Sequence, residues 1–123
     1  MARYRYVPKE FLEQPTLFGR RLDARWDRRK TAAADDSHVG AAYFQHVAAC
    51  TAIAKAEHDG ESVLRMADRL GVPADTLRRK LYGESPARLD EVIAWAILYG
   101  VEVLPAPGSI EDLVPHRWPS DQG

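Results

Sequence analysis

The sequence predicts an all-α fold of four or five helices, with an N-terminal arm and a short C-terminal tail. Two observations carry this prediction. Apolar residues recur at three- and four-residue spacing in most segments between residues 41 and 99. Gly71, Gly83 and Gly100 each follow such a segment, and glycine just past the last turn is a common end of a helix. Residues 101–104 alternate apolar and polar side chains, so a short strand is expected there.

Three regions are expected along the chain: a basic arm over 1–40, a helical domain over 41–104 and a tail over 105–123. Pro8 and Pro15 interrupt the start of the arm, so we expect irregular structure over its first sixteen residues.

One helix is expected within the arm, over residues 17–30. Leu22 and Trp26 lie four residues apart there, which places two side chains on one face of a helix. A loop is expected to follow over residues 31–40, and one helical turn is expected in the tail over residues 110–114.

Four helices are expected in the domain over 41–104. The first runs from about residue 41 to 58, where four positions recur at helical spacing: Phe44, Val47, Thr51 and Ala54. Ser62 is the expected N-cap of the second helix, over residues 63–70. The third helix is expected over 74–82 and the fourth over 89–99. The buried face of the fourth is expected to comprise Leu89, Val92, Ile93, Ala96 and Ile97.

Charge is distributed unevenly along the 123 residues. The chain has a formal net charge of -1, but residues 1–30 hold nine cations and four carboxylates, a net of +5 that leaves -6 elsewhere. Such asymmetry is a hint of contact with nucleic acid or another acidic surface. The single cysteine, Cys50, indicates a reducing compartment. Because no apolar run is long enough for a membrane span or a signal peptide, we expect a cytoplasmic protein with no membrane contact.

A helix-turn-helix pattern occupies residues 62–101. Ala67 is small where two steeply crossing helices would touch, and Gly71 permits the tight turn between them. On its joint spacing this segment resembles the Cro/C1-type helix-turn-helix family of phage and bacterial repressors. The matching positions are Ala67, Gly71, Val72, Thr76, Leu77, Gly83, Leu89, Asp90, Glu91, Ala96, Gly100 and Val101.

The resemblance implies a lambda-repressor-like domain whose helix over 74–82 lies in the major groove of double-stranded DNA. The expected base-reading residues are Ala74, Asp75, Arg78 and Arg79, since an arginine fork fits the acceptors of guanine. The expected phosphate contacts are Ser62, Thr76, Lys80, Tyr82 and Ser85. Further contacts from the arm are assigned to Arg21, Arg25, Arg28 and Arg29. The implied function is a sequence-specific transcriptional regulator, a repressor or autoregulator, bound as a homodimer to an inverted repeat.

The sequence departs from the family pattern at three positions. Pro73 stands where a serine usually caps the recognition helix, and proline has no side chain that can cap. Val63 replaces a polar first-turn residue, and Arg88 replaces a Ser or Thr cap. These changes affect individual phosphate contacts more than the fold.

Other interpretations remain beside this one. The helical pair is also typical of a protein-interaction module, such as an antitoxin-like or accessory subunit. The basic arm can contact DNA or pack on the core or on a second subunit, and the tail can fold back or join a dimer. His46 and Cys50 have metal-ligand spacing, but two ligands are too few for a structural zinc site. We find no catalytic constellation, and expect neither enzymatic activity nor a cofactor or metal.

Overall fold

The computed structural model describes residues 6–100, and over that range the chain is all-α, as expected. The described range contains five α-helices: α1 (Arg28–Ala33), α2 (Asp36–His58), α3 (Val63–Leu70), α4 (Ala74–Leu81) and α5 (Leu89–Tyr99). Two short 3-10 turns, Pro8–Phe11 and Pro15–Leu17, precede them. The strand expected over 101–104 and the helical turn expected over 110–114 lie outside the described residues.

The prediction of a helix over residues 17–30 is wrong. The chain turns at Gly19, which has a left-handed φ of +75°, and Leu22 is 57% exposed instead of marking a buried face. α1 begins only after Asp27, because that carboxylate accepts the backbone N–H groups two and three residues further on. A local cap therefore decides where this helix starts.

The prediction of a loop over residues 31–40 is also wrong. α1 continues to Ala33, and α2 already begins at Asp36. Asp35 caps α2 by accepting the backbone N–H of Ser37 at 2.8 Å. At 23 residues, α2 is about 35 Å long and provides the surface on which α4, α5 and the 3-10 turn Pro8–Phe11 pack.

The main core forms where α4 and α5 pack against α2 and α3 packs on α4. Small side chains on α2 allow these helices to approach closely: Ala48, Ala49, Ala52 and Ala56 are all buried. Leu77 and Leu81 fill the core from α4, and Trp95 and Tyr99 fill it from α5. Burial of this apolar surface is the main source of stability for such short helices.

Apolar spacing on α2 and α5 coincides only in part with the faces that meet the core. The stripe Phe44, Val47, Thr51 and Ala54 lies on the more exposed side of α2. On α5, Val92 and Ala96 are buried as expected, but Leu89 is 72% exposed and Ile97 is 76% exposed. Helical spacing indicated both helices, but on α5 it identified only part of the face that meets the core.

The N-terminal segment, here residues 6–35, packs on the helical domain. Phe11 is buried against Val39 and Ala42 of α2. A second small cluster buries Leu12 and Phe18. The segment therefore forms part of the folded unit, while its arginine side chains remain exposed. Among the described residues, none of the helices combines the length and apolar character needed to cross a bilayer.

Candidate functional site

α3 and α4 are joined by a tight turn at Gly71. Gly71 has a φ of +72°, and its N–H donates to the carbonyls of Ala67 and Asp68 at the end of α3. At the other end of α3, the hydroxyl of Ser62 accepts the N–H of Arg65 at 3.2 Å. The predicted N-cap and the predicted glycine turn are thus both confirmed. Ala67 is only 2% exposed, so a small side chain lies in the core next to this turn.

α4 has one buried and one exposed face. Leu77 and Leu81 point into the core, whereas the side chains of Asp75, Arg78 and Arg79 are 76%, 52% and 64% exposed. Pro73 precedes the helix without a side-chain cap, as the sequence indicated. The helix therefore presents three charged groups together on its solvent side.

One carboxylate lies between the two arginines of α4. Asp75 is 3.3 Å from a guanidinium nitrogen of Arg78 and 3.7 Å from one of Arg79. Exposed pairs of this kind contribute little to stability and exchange readily with other partners. Asp75 can therefore orient both guanidinium groups and still release them to a stronger anion.

The remaining predicted base-reading and phosphate residues occupy different environments. Ala74 is half-buried against the core, and Thr76 is exposed beside the groove between α4 and α5. Tyr82 and Ser85 are half-buried after the end of α4. Of the predicted base-reading set, Asp75, Arg78 and Arg79 therefore form one exposed group.

Lys80 is engaged inside the molecule. Its ammonium group contacts the carboxylate of Glu91 on α5, and each of these side chains is only 19% exposed. The other oxygen of Glu91 accepts the N–H of Arg88 at 2.7 Å, at the start of α5. Glu91 thus ties the end of α4 to the start of α5, and a phosphate contact by Lys80 would compete with this ion pair.

Gln45, which the sequence did not single out, holds the turn between α4 and α5. Its side chain is buried and donates to the carbonyls of Lys80, at 2.6 Å, and Ser85, at 3.0 Å. Its own carbonyl accepts the N–H of Ala87 at 3.0 Å. The sequence signal for this role is an amide side chain among the alanines of α2. A polar side chain buried at such a position requires hydrogen-bond partners.

The four arginines assigned to the arm do not share a helix face. Arg21 forms an ion pair with Asp23 at 3.0 Å, and Arg25 lies 3.8 Å from Glu13. The pKa of Asp23 is lowered by its hydrogen bond to Arg21. The other two are exposed at the start of α1, and three of the four line one shallow depression: Arg25, Arg28 and Arg29.

The His46 and Cys50 pair is part of the packing between α2 and the N-terminal segment. The Nδ1 of His46 accepts the N–H of Gly19 at 3.0 Å, so Nε2 carries the proton that is donated to the carbonyl of Arg21 at 2.9 Å. Burial lowers the pKa of His46 and raises that of Cys50 to about 12. A neutral imidazole with both nitrogens engaged and an un-ionised thiol are poor metal ligands and poor nucleophiles.

Comparison with protein-family models, with curated proteins and with solved structures finds no match to this chain. The resemblance of residues 62–101 to Cro/C1-type repressors therefore stays a prediction from motif spacing. The geometry of α3, Gly71 and α4 is the observation on which a functional proposal can be built.

Proposed function

We propose that the protein is a sequence-specific double-stranded DNA-binding regulator that reads the major groove with α4. The observation that carries the proposal is the division of α4 into two faces. Leu77 and Leu81 anchor it in the core, and Asp75, Arg78 and Arg79 are exposed together on its free side. The diameter of an α-helix matches the major groove, and arginine is the side chain that most often reads guanine there.

Base reading is assigned to Arg78 and Arg79, with Asp75 as the group that orients them or accepts a hydrogen bond from cytosine. Ala74 adds at most an apolar contact, because it is half-buried. Phosphate contacts are assigned to exposed hydroxyls at helix ends, on Ser62 and Thr76. Arginine and lysine contacts to phosphates would supply affinity, and base contacts would supply specificity.

A homodimer on an inverted repeat is the proposed binding state. Leu89 and Ile97 support it, since α5 exposes both and a second copy would remove them from water. The same exposed residues favour the alternative function, in which the helical pair is an interaction module for another protein. Duplex binding separates these two functions.

The test is in-vitro selection from a random duplex library at moderate salt, followed by affinity measurements on the enriched sequence. We expect an inverted repeat whose half-sites lie about one helical turn apart. Arg79→Ala should then cost about 1–3 kcal/mol on that site and relax the preference at one position. The matched control is Lys55→Ala, because Lys55 is a half-exposed cation of α2 with its own partner, Asp59. Absence of enrichment, with only weak salt-sensitive binding, would reject the proposal and favour the interaction module.

A further inference from the structure

We infer that Arg20 of the N-terminal segment extends the nucleic-acid surface past the end of α4 by contacting a backbone phosphate. The inference rests on the proposed function of α4 and adds a residue that no sequence motif indicates. Its basis is the position in which the fold holds Arg20. Three sets of contacts define that position.

The first set brings the N-terminal segment against the end of α4. The N–H of Lys9 donates to the carbonyl of Gly83 at 3.0 Å. The ring of Phe18 lies so close to Gly83 that a Cβ on that glycine would be 2.6 Å from it. Gly19 is equally close to α4, since a Cβ there would overlap the carbonyl oxygen of Leu81. The two glycines therefore permit an approach that any larger residue would prevent.

The second set fixes the backbone on both sides of Arg20. The N–H of Gly19 and the carbonyl of Arg21 both bond the buried ring of His46. The N–H of Arg20 itself donates to the carbonyl of Leu17 at 2.9 Å. Hydrogen bonds thus fix the backbone of this turn on both sides of Arg20.

The third set orients the side chain. The guanidinium of Arg20 lies over the ring of Tyr82, 4.2 Å from its centroid. A cation in this geometry is attracted by the face of the ring, and its N–H groups remain directed outward around the plane. Tyr82 directly follows α4, so the stacked charge lies next to the end of the proposed recognition helix.

Arg20 also differs electrostatically from the three cations on α4 itself. Arg78 and Arg79 share Asp75, and Lys80 is paired with Glu91. Arg20 is exposed and has no carboxylate partner among residues 6–100. A phosphate approaching this end of α4 therefore meets an oriented guanidinium without having to displace an existing ion pair.

A purely structural role makes a different prediction. A cation near a helix C-terminus also interacts favourably with the exposed carbonyls and the helix dipole. If that were its only role, removing Arg20 would change the stability of the fold and leave the salt dependence of DNA binding unaltered. The two roles therefore differ in a quantity that can be measured directly.

The experiment compares the full chain with Arg20→Gln, Arg20→Lys and the control Lys55→Gln. Fluorescence anisotropy with the selected duplex, or with a generic duplex if selection enriches nothing, gives Kd between about 50 and 200 mM salt. Arg20→Gln should reduce the slope of log Kd against log salt by about 0.9, the value for one lost phosphate contact. Arg20→Lys should keep most of the slope, and Lys55→Gln should keep all of it. Urea unfolding of each variant reports whether the fold is intact.

The outcomes distinguish failure of the Arg20 inference from failure of the proposed function of α4. A reduced slope for Arg20→Gln, with similar losses on the selected and on a scrambled duplex, supports the phosphate contact. If the unsubstituted protein binds duplex and Arg20→Gln has the same salt slope, the Arg20 inference is overturned. The proposed function of α4 is then unaffected. Absence of duplex binding by the full chain overturns both. A loss confined to the selected sequence would assign Arg20 to base reading and overturn the phosphate assignment.

Discussion

Replacing Gln45 by Met tests whether one buried amide holds the turn after α4. Met has nearly the volume of Gln, so the change removes hydrogen bonds without opening a large cavity. Within the described residues, the carbonyl of Ser85 and the N–H of Ala87 bond only Gln45, and both would lose their partner. The carbonyl of Lys80 would keep a bond from the N–H of Gly83 at 3.3 Å.

The expected cost follows from the two orphaned groups. A buried polar group without a partner costs about 1–3 kcal/mol. Both groups are only partly buried, so the lower part of that range applies to each, and the apolar Met side chain offsets a small part of the total. We expect Gln45→Met to lower the free energy of unfolding by about 2–4 kcal/mol. Urea unfolding followed by far-UV circular dichroism measures this, provided that the m-value is unchanged.

The matched control is Gln14→Met. Gln14 is exposed and its side chain makes no cap hydrogen bond, so the same chemical change should stay within about 0.5 kcal/mol. If Gln45→Met lowered the free energy of unfolding by less than about 1 kcal/mol, the turn would not depend on this amide. The reasoning from buried hydrogen bonds would then be refuted. If the protein binds duplex DNA as proposed, its affinity is a second readout, and it should fall when the turn no longer positions α4.

Three further predictions follow from single residues. Gly83→Ala should lower the free energy of unfolding by at least about 1 kcal/mol more than Gly60→Ala does, as measured by urea unfolding. Both glycines have a φ above +70°, but only Gly83 faces the ring of Phe18. Equal losses of stability in the two variants would contradict the close packing at Gly83. Ser62→Ala should cost about 1 kcal/mol through loss of the α3 cap, and an unchanged unfolding midpoint would show that the cap is dispensable. Because the pKa of His46 is lowered in the folded state, the unfolded chain binds a proton near pH 6.5 while His46 of the folded chain stays neutral. The free energy of unfolding should therefore fall as pH drops below about 6.5. Urea midpoints between pH 7.5 and pH 5 measure it, and His46→Gln should flatten the dependence.

The sequence alone determined most helix ends in residues 62–100. Ser62 caps α3, Gly71 turns the chain into α4, and Gly83 and Gly100 follow the ends of α4 and α5 with positive φ. These features depend on a residue and its neighbours within one turn, because a cap satisfies backbone groups that are local to it. Local chemistry is therefore readable without knowledge of the rest of the fold.

In the N-terminal segment, Asp27 and Asp35 cap α1 and α2 and set where these helices start. The spacing of Leu22 and Trp26 predicted a different helix there. Leu22 is exposed because the turn at Gly19 interrupts the helix that its spacing with Trp26 indicated. A capping aspartate was the better signal at both positions.

Tertiary structure alone decided which surfaces meet and which polar groups are used. The exposure of Leu89 and Ile97, the pairing of Lys80 with Glu91 and the stacking of Arg20 on Tyr82 all depend on how the helices and the N-terminal segment pack. Glu91 lies 11 residues from Lys80, and Tyr82 lies about sixty residues from Arg20. Helical periodicity carries no information about contacts over such separations. The physical reason is that burial is a property of the assembled core, whereas a cap or a glycine turn is a property of one short segment.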